Sequence, residues 1–250
     1  MRILKVFLCF FVSILCAKEE KFVVGMASGY APYVSLNEKG EYEGFDVDLA
    51  KMVAGKIHRQ LVLQDLGSMP SLLVALKKER IDAIIWAMSI TEERKKEMNM
   101  VYYQGDKETQ IPFIFWNQVP ENVKEIQDLE KMPKCTVCCE AGSSQDTVLR
   151  RYPKVNVKYL DKISDALMDL KYKKAQAVVI DGSLIPRVTA QYPEVKVTYL
   201  PLPDNLQSFG NGICLNRKSE KLTQEVEKAI AELTQEGKIG ELEKKWGLSK

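Results

Sequence analysis

Gly25-Met-Ala-Ser-Gly-Tyr-Ala-Pro-Tyr33, followed by Glu43-Gly-Phe-Asp-Val-Asp-Leu-Ala50, is the stretch that decides the fold. It writes a strand end, a Gly/Pro loop carrying aromatics and a helix start in sequence. Lys21–Met26 is a strand candidate. Asp46–Lys56 is a helix, with Asp46 expected to cap its N-terminus and Leu49, Ala50, Val53 and Ile57 forming the apolar stripe. Gln60–Leu66 reads as a second strand. Pro70 opens a helix whose inner face carries Leu72, Leu73 and Leu76, and the apolar run Asp82–Ala87 follows. Strand, helix, strand, helix, strand implies parallel crossovers and an α/β layer architecture.

A second unit repeats this grammar. Strands are expected at Thr136–Cys139, Val155–Leu160, Ala175–Ile180 and Val195–Leu200, with helices at Ser144–Arg151, Ile163–Tyr172 and Leu184–Gln191. Tyr152-Pro-Lys-Val-Asn-Val-Lys-Tyr-Leu160 resembles Tyr192-Pro-Glu-Val-Lys-Val-Thr-Tyr-Leu200, but two copies are too few for a solenoid. Each is a helix stopped by Tyr-Pro and followed by a Val-rich strand. Ile111-Pro-Phe-Ile-Phe-Trp116 is extended and apolar, and Phe209–Leu215 reads as a strand with turn-like glycines. A long helix over about 221–235 and a shorter one after Gly237, ending near Trp246, close the chain. Two lobes joined by two crossings would leave a cleft between them. The simpler alternative is a single α/β domain with a helical tail.

Outward from this core, residues 1–17 carry Arg2 and Lys5, an apolar stretch Val6–Leu15 and then Cys16-Ala17. This is the pattern of a secretory signal, and it is short for a membrane span. Cys16 is an alternative lipid-attachment site, although Leu15 is not the usual small residue before one. Removing Arg2 and Lys5 from 36 basic residues leaves 34, against 34 acidic ones. That balance gives no electrostatic case for nucleic acid or anionic membrane as a partner.

Cys135-x-x-Cys138 has the spacing of a redox or half-zinc site. Cys135, Val137 and Cys139 nevertheless alternate to one side of a strand, where a disulfide is poorly placed. No second pair or nearby histidine completes a metal site, so buried thiols acting as small hydrophobes are the favoured reading. A disulfide from Cys214 to one of the other three stays open. His58, the sole histidine, lies among Lys56, Arg59 and Gln60 and reads as a surface residue. No Gly-x-Gly-x-x-Gly, phosphate-loop lysine or Gly-x-Ser-x-Gly motif occurs, so no nucleotide or other cofactor is expected.

Several loop residues fall at expected carboxyl ends of strands, where α/β folds tend to place ligands. Tyr30 and Tyr33 follow the first strand, and Trp86, Ala87 and Ser89 the third. Gly142-Ser-Ser144 opens a helix and could offer backbone N–H groups and hydroxyls to an anion, or simply cap the helix. Asp181 could receive a cation or cap the next helix. Arg94 suits a carboxylate clamp, or is a solvated helix residue. An anion holder, a cation holder and aromatic walls together suit a zwitterion.

From about Phe22 to Trp246 the chain resembles the periplasmic binding proteins for polar amino acids that serve ATP-driven importers, most closely the arginine-binding members. The motifs that carry the resemblance include Tyr30-Ala-Pro-Tyr33, Gly44-Phe-Asp-Val-Asp-Leu-Ala50 and Met88-Ser-Ile-Thr-Glu-Glu-Arg94. Gly142-Ser-Ser-Gln145, Asp181, Phe209-Gly-Asn-Gly-Ile213 and Lys245-Trp246 complete them. The resemblance implies a two-lobed α/β fold, with residues 22–110 and 207–250 in one lobe and 111–206 in the other. It implies that Arg94 and Ser144 hold the ligand α-carboxylate. Asp181, Ser89 and the Ala87 carbonyl would hold the α-ammonium, and Tyr30, Trp86 and Met69 would line the side chain. The chain departs from basic-amino-acid binders at Ala27, where an acid is common, and at Trp86, where a small hydroxyl residue is common. Trp86 and Tyr30 could form the two faces of a slot for a guanidinium. Met100-Val-Tyr-Tyr-Gln104 is also altered, and no contact is assigned there. The expected protein is a monomeric, non-enzymatic receptor at the periplasm or outer cell envelope, binding a free amino acid, arginine favoured, and docking on the membrane components of an importer. The rival readings are a dehydratase-like enzyme and a surface adhesion protein on the same scaffold.

Overall fold

The structure is a computed structural model that describes residues 20–160 and 163–249. The signal segment expected over residues 1–17, with Cys16, lies outside the described residues. The described chain builds two five-stranded sheets and a small hairpin.

The first lobe opens with β1 (Lys21–Met26), the hairpin strands β2 (Ser35–Leu36) and β3 (Tyr42–Glu43), and α1 (Phe45–Lys56). It continues through β4 (Gln60–Asp65), α2 (Met69–Lys77), β5 (Ala83–Ile84), α3 (Glu92–Glu97) and β6 (Met98–Glu108). β1 pairs in parallel with β4 and with β5, as the alternating strands and helices predict. The chain then enters the second lobe with β7 (Gln110–Trp116), α4 (Ile126–Leu129), β8 (Thr136–Cys139), α5 (Ser144–Leu149) and β9 (Asn156–Tyr159). α6 (Ile163–Lys171), β10 (Ala177–Val179), a 3-10 turn at Gly182–Leu184, α7 (Ile185–Gln191) and β11 (Val195–Pro201) complete that sheet, ordered β11-β7-β10-β8-β9. After a second 3-10 turn at Asp204–Leu206, β12 (Ser208–Asn216) returns to the first sheet between β5 and β6, giving the order β4-β1-β5-β12-β6. α8 (Glu220–Gln235) and α9 (Lys238–Lys245) pack their apolar faces, including Val226, Ile230 and Leu242, into the first-lobe core.

The opening motif is one packing unit. The first helix turn leaves N–H groups without intrahelical partners. Here the loop after β1 supplies them: Phe45 N donates to Pro32 O at 3.0 Å and Asp46 N to Tyr33 O at 3.1 Å. Gly44 permits this approach, with φ of 135° and a position where a Cβ would lie 2.0 Å from Tyr33 O. Gly44→Ala is expected to destabilise the fold by more than the about 1–3 kcal/mol of backbone strain alone, because the clash is with backbone. Denaturant unfolding checks this, and an unchanged midpoint would contradict it.

Gly44, not Asp46, is the N-cap of α1. Asp46 is fully buried and turned away from the helix end, a correction taken up below. β6 also departs from expectation: an eleven-residue strand runs where no element was assigned, bonded to β12 along its length with irregularities near Asn211. In the second sheet the alternation read at the cysteines holds. Cys135, Val137 and Cys139 pack on one face with Phe113 and Phe115, while Cys138 packs on the other with Ile114 and Val178. All four described cysteines are free and buried, so Cys214 makes no disulfide. Burial pushes the Cys135 and Cys138 thiols up to about 11, which leaves them protonated and poor nucleophiles. His58 is exposed.

Candidate functional site

The strand ends deliver the candidate residues to one place. Tyr30 comes from the loop after β1, Met69 from the start of α2, and Trp86, Ala87 and Ser89 from the segment after β5. Arg94 lies in α3, Ser144 begins α5 after β8, and Asp181 follows β10. All eight line a single small cavity of about 20 Å³ between the lobes, together with Glu140, Ser143 and Gln145.

Asp46 lies beneath this cavity. Its Oδ2 accepts from Ala87 N at 2.7 Å and its Oδ1 from the Tyr103 hydroxyl at 2.8 Å. Ala87 has a φ of 44°, in the left-handed region that a non-glycine residue rarely occupies. Asp46 therefore pins a strained turn from the buried side. Burial raises the Asp46 carboxyl to about 7, opposed by the two hydrogen bonds.

Arg94 is half-buried rather than solvated. Thr91 Oγ1 caps α3 by accepting from Arg94 N at 3.2 Å, which fixes the root of the side chain. Its guanidinium donates to two backbone carbonyls, Ser89 O at 2.8 Å and, across the cleft, Gly142 O at 3.1 Å. Burial works against its charge, but a guanidinium stays ionised at any physiological pH. These two partners carry no full charge, so a carboxylate entering the cavity would be the stronger acceptor.

The Gly142-Ser-Ser144 loop divides its duties. Ser143 Oγ caps α5 by accepting from Asp146 N, and Gly142 N already donates to Asp146 Oδ2 at 2.8 Å. The loop is thus less open to an anion than its sequence implies, and Ser144 is the member turned to the opposite lobe, 3.5 Å from Ser89 Oγ. Gly142 itself faces Met69, whose Cγ would meet a Cβ at 3.4 Å. Asp181 caps the short 3-10 turn that precedes α7, not α7 itself. Its Oδ1 accepts from Ser183 N at 2.8 Å, capping the 3-10 turn, while the residue lines the cavity. Burial raises the Tyr30 hydroxyl pKa well above its ordinary value, helped by the charges of Asp181 and Glu140.

The expected aromatic slot is not formed. Tyr30 and Trp86 lie with ring centroids 5.2 Å apart and planes tilted 50°, touching each other. A guanidinium sandwiched between two faces needs two contact distances of about 3.5 Å each. Tyr30 packs directly against the indole, leaving no gap between the rings for a planar cation, and Trp86 is only 5% exposed.

A larger cavity of about 380 Å³ adjoins the first and shares Tyr30, Trp86, Glu140, Gln145 and Asp181 with it. It adds Ala27 on the first-lobe side and Leu167, Val188 and Arg187 on the second. Glu140 and Arg187 had not been singled out in the sequence. Glu140 follows a strand just as Asp181 does, which was the available signal, whereas Arg187 is brought in by a helix packed beside the cavity. Of these two cavities only the small one is lined by Arg94, Ser89 and Ser144, so the pair has a strongly polar end and a wider, mixed end.

Known proteins share this fold. Residues 22–249 match the family described as bacterial extracellular solute-binding proteins, family 3. The chain is 30% identical to the probable ABC transporter arginine-binding protein ArtJ of Chlamydia trachomatis, over 96% of this chain and 93% of that one. Among solved structures, a mutant of ArgBP from T. maritima superposes with a TM-score of 0.79 at 28% identity, covering 92% of this chain and 96% of that one. An ancestral arginine-binding protein bound to arginine superposes with a TM-score of 0.77 at 25% identity, covering 91% and 98%. By its two-lobed fold and by a family match over nearly all of its described residues, this chain belongs to the bacterial extracellular solute-binding proteins of family 3.

Proposed function

We propose that the chain is the receptor of an ATP-driven importer and closes on one free polar or basic amino acid, arginine favoured. The carrying observation is the pair of opposite charges, Arg94 and Asp181, brought by different lobes to one cavity. A zwitterion taken out of water needs both ends satisfied, and this pair matches them. Arg94 and Ser144 take the α-carboxylate. Asp181, Ser89 and the Ala87 carbonyl take the α-ammonium, with Tyr30, Met69 and Trp86 against the side chain. The names of the similar proteins support arginine as the favoured ligand.

Closure turns about the two crossings, one between β6 and β7 and one between β11 and β12. On this reading residues 22–110 and 207–250 move as one lobe and 111–206 as the other. Glu108 and Ser208 stand at the crossings and are joined by a 2.7 Å hydrogen bond from the Ser208 hydroxyl to Glu108 Oε2. A ligand that bridges the lobes shifts the open–closed population by its differential affinity, and the closed form presents both lobes to the importer. Arg94 and Asp181 are matched to the two fixed charges of the ligand, which suits holding a zwitterion and leaves neither as an acid or base for a reaction.

Calorimetric titration against the twenty amino acids tests this reading. Saturable one-to-one binding of arginine is expected, with the amino acid recovered unchanged. Turnover of a cyclic acid would favour the dehydratase rival, and binding only to a protein partner the adhesion rival. Arg94→Lys is expected to weaken arginine binding at least about tenfold, since an ammonium cannot reproduce the two-pronged fork and charged hydrogen bonds contribute about 1.5–3 kcal/mol each.

A further inference from the structure

Two chain crossings join the lobes, and a side-chain pair ties one to the other. The Ser208 hydroxyl, where the chain returns, donates to Glu108 Oε2, where it leaves, at 2.7 Å. Glu108 is half-buried, and its carboxyl ends against the buried Ser208. Its other oxygen, Oε1, reaches the second lobe, 3.9 Å from where a Cβ on Gly182 would stand. Gly182 directly follows Asp181, the residue assigned to the ligand ammonium.

Among the described residues no cation lines the recess around Glu108. β7 contributes Gln110, α5 contributes Ser144, Gln145 and Val148, and the second 3-10 turn contributes Leu206, none of them titratable. Asp204 on that turn is exposed and accepts from Gln207. On β6 itself Asp106 is exposed, and Lys107 sets its Nζ over the Phe209 ring, 5.6 Å from the centroid. Arg94 lines the adjoining small cavity with Asp181 and not this recess. The titratable groups that act on Glu108 are therefore Asp181 and Tyr30, and burial keeps the Tyr30 hydroxyl protonated. Two neighbouring carboxylates with no cation between them resist carrying two charges, and desolvation adds to that resistance. Burial, and then Asp181, raise the Glu108 carboxyl to about 7, against the Ser208 hydrogen bond.

Resting on the amino-acid receptor reading, we propose that Glu108 is a positioning residue that acts through Asp181, keeping a proton in the ligand-free receptor and releasing it to solvent when the ligand ammonium arrives. Capture and proton release are then one event. The ammonium supplies the cation that the recess lacks, and a nearby cation favours the charged form of both acids. Glu108 and Gly182 meet at the pivot, where rotation of the lobes displaces atoms least, so the two acids stay neighbours as the cleft opens. By linkage, binding tightens as pH rises and levels off once Glu108 is ionised in the free receptor.

Calorimetry with arginine at about pH 6.5, in buffers of different ionisation enthalpy, counts the protons directly. The wild type is expected to release about half to one proton, and its arginine affinity to weaken about three- to tenfold from pH 8 to pH 6. Arginine itself keeps its charges over that range. Glu108→Gln keeps the side-chain length and an oxygen for Ser208 but cannot ionise. It should release no proton and bind, at every pH, about as weakly as the wild type does in acid. Ser208→Ala removes the hydrogen bond that favours the ionised acid and should move the profile to higher pH, whether or not Glu108→Gln folds. Wild-type binding without proton release overturns the proposal, as does a Ser208→Ala profile that stays put or moves down. Release that persists in Glu108→Gln also overturns it and passes the proton to Asp46, the other acid raised to about 7 beside the site. Failure of the wild type to bind arginine or any other free amino acid overturns the receptor reading itself, a separate outcome.

Discussion

Asp181→Asn is expected to weaken amino-acid binding by roughly thirtyfold to several thousandfold while leaving the melting temperature nearly unchanged. The two effects separate because the carboxylate has two jobs. Its Oδ1 caps the 3-10 turn through Ser183 N, and the amide oxygen of asparagine can do the same. The charge that would meet the ligand ammonium is lost outright. Removing one member of a buried, hydrogen-bonded charge pair costs about 2–5 kcal/mol, and about 1.4 kcal/mol is a factor of ten in affinity. Calorimetry and a thermal melt on the same preparation check both halves. Equal affinity in the two proteins would remove Asp181 from the site, and a matching fall in stability would make it a structural cap.

Asp46→Ala should give the largest loss of stability among the polar substitutions considered. It leaves two buried donors, Ala87 N and the Tyr103 hydroxyl, without their acceptor. At about 1–3 kcal/mol for each orphaned group, the loss is about 2–6 kcal/mol. Asp46→Asn keeps one acceptor oxygen and should recover part of it. The effect also depends on pH. Burial raises the folded carboxyl from 3.8 to about 7, so between those values the native state holds a proton that the unfolded chain has released. The associated stabilisation is full below about 4 and is lost as pH rises through about 7. The gap between wild type and variant should therefore be wider at pH 5 than at pH 8 in urea unfolding. Glu108, also raised to about 7 by burial and then by Asp181, is present in both proteins and cancels in the difference. A gap that widened with pH would contradict this placement of Asp46.

Much of the fold was legible because its signals are local. Lys21–Met26 and Thr136–Cys139 are strands within their expected bounds, and Pro70 stands in the first turn of α2. β6 was missed for a physical reason. Its Gln104-Gly-Asp-Lys-Glu108 half is polar and carries a glycine, so the buried Val101 and Tyr103 of the other half make too short an apolar alternation to advertise an eleven-residue strand. It is a strand because β12, far along the chain, pairs with it. The site shows the same division. All eight chosen residues meet at one cavity, yet the Tyr30–Trp86 slot fails because ring tilt depends on how two loops pack.

The amino-acid sequence by itself determined the alternation of strands and helices, the alternating faces of the cysteine strand and the residues carried at the strand ends, since these follow from side-chain period and turn chemistry along a few neighbouring positions. Only the tertiary structure decided that Asp46 supports the Ala87 turn instead of capping a helix, that Glu140 lines both cavities, and that Trp86 holds an unpartnered N–H while packed against Tyr30. Each of these depends on groups distant in sequence and brought within hydrogen-bond or van der Waals reach, where burial rather than local propensity sets the cost.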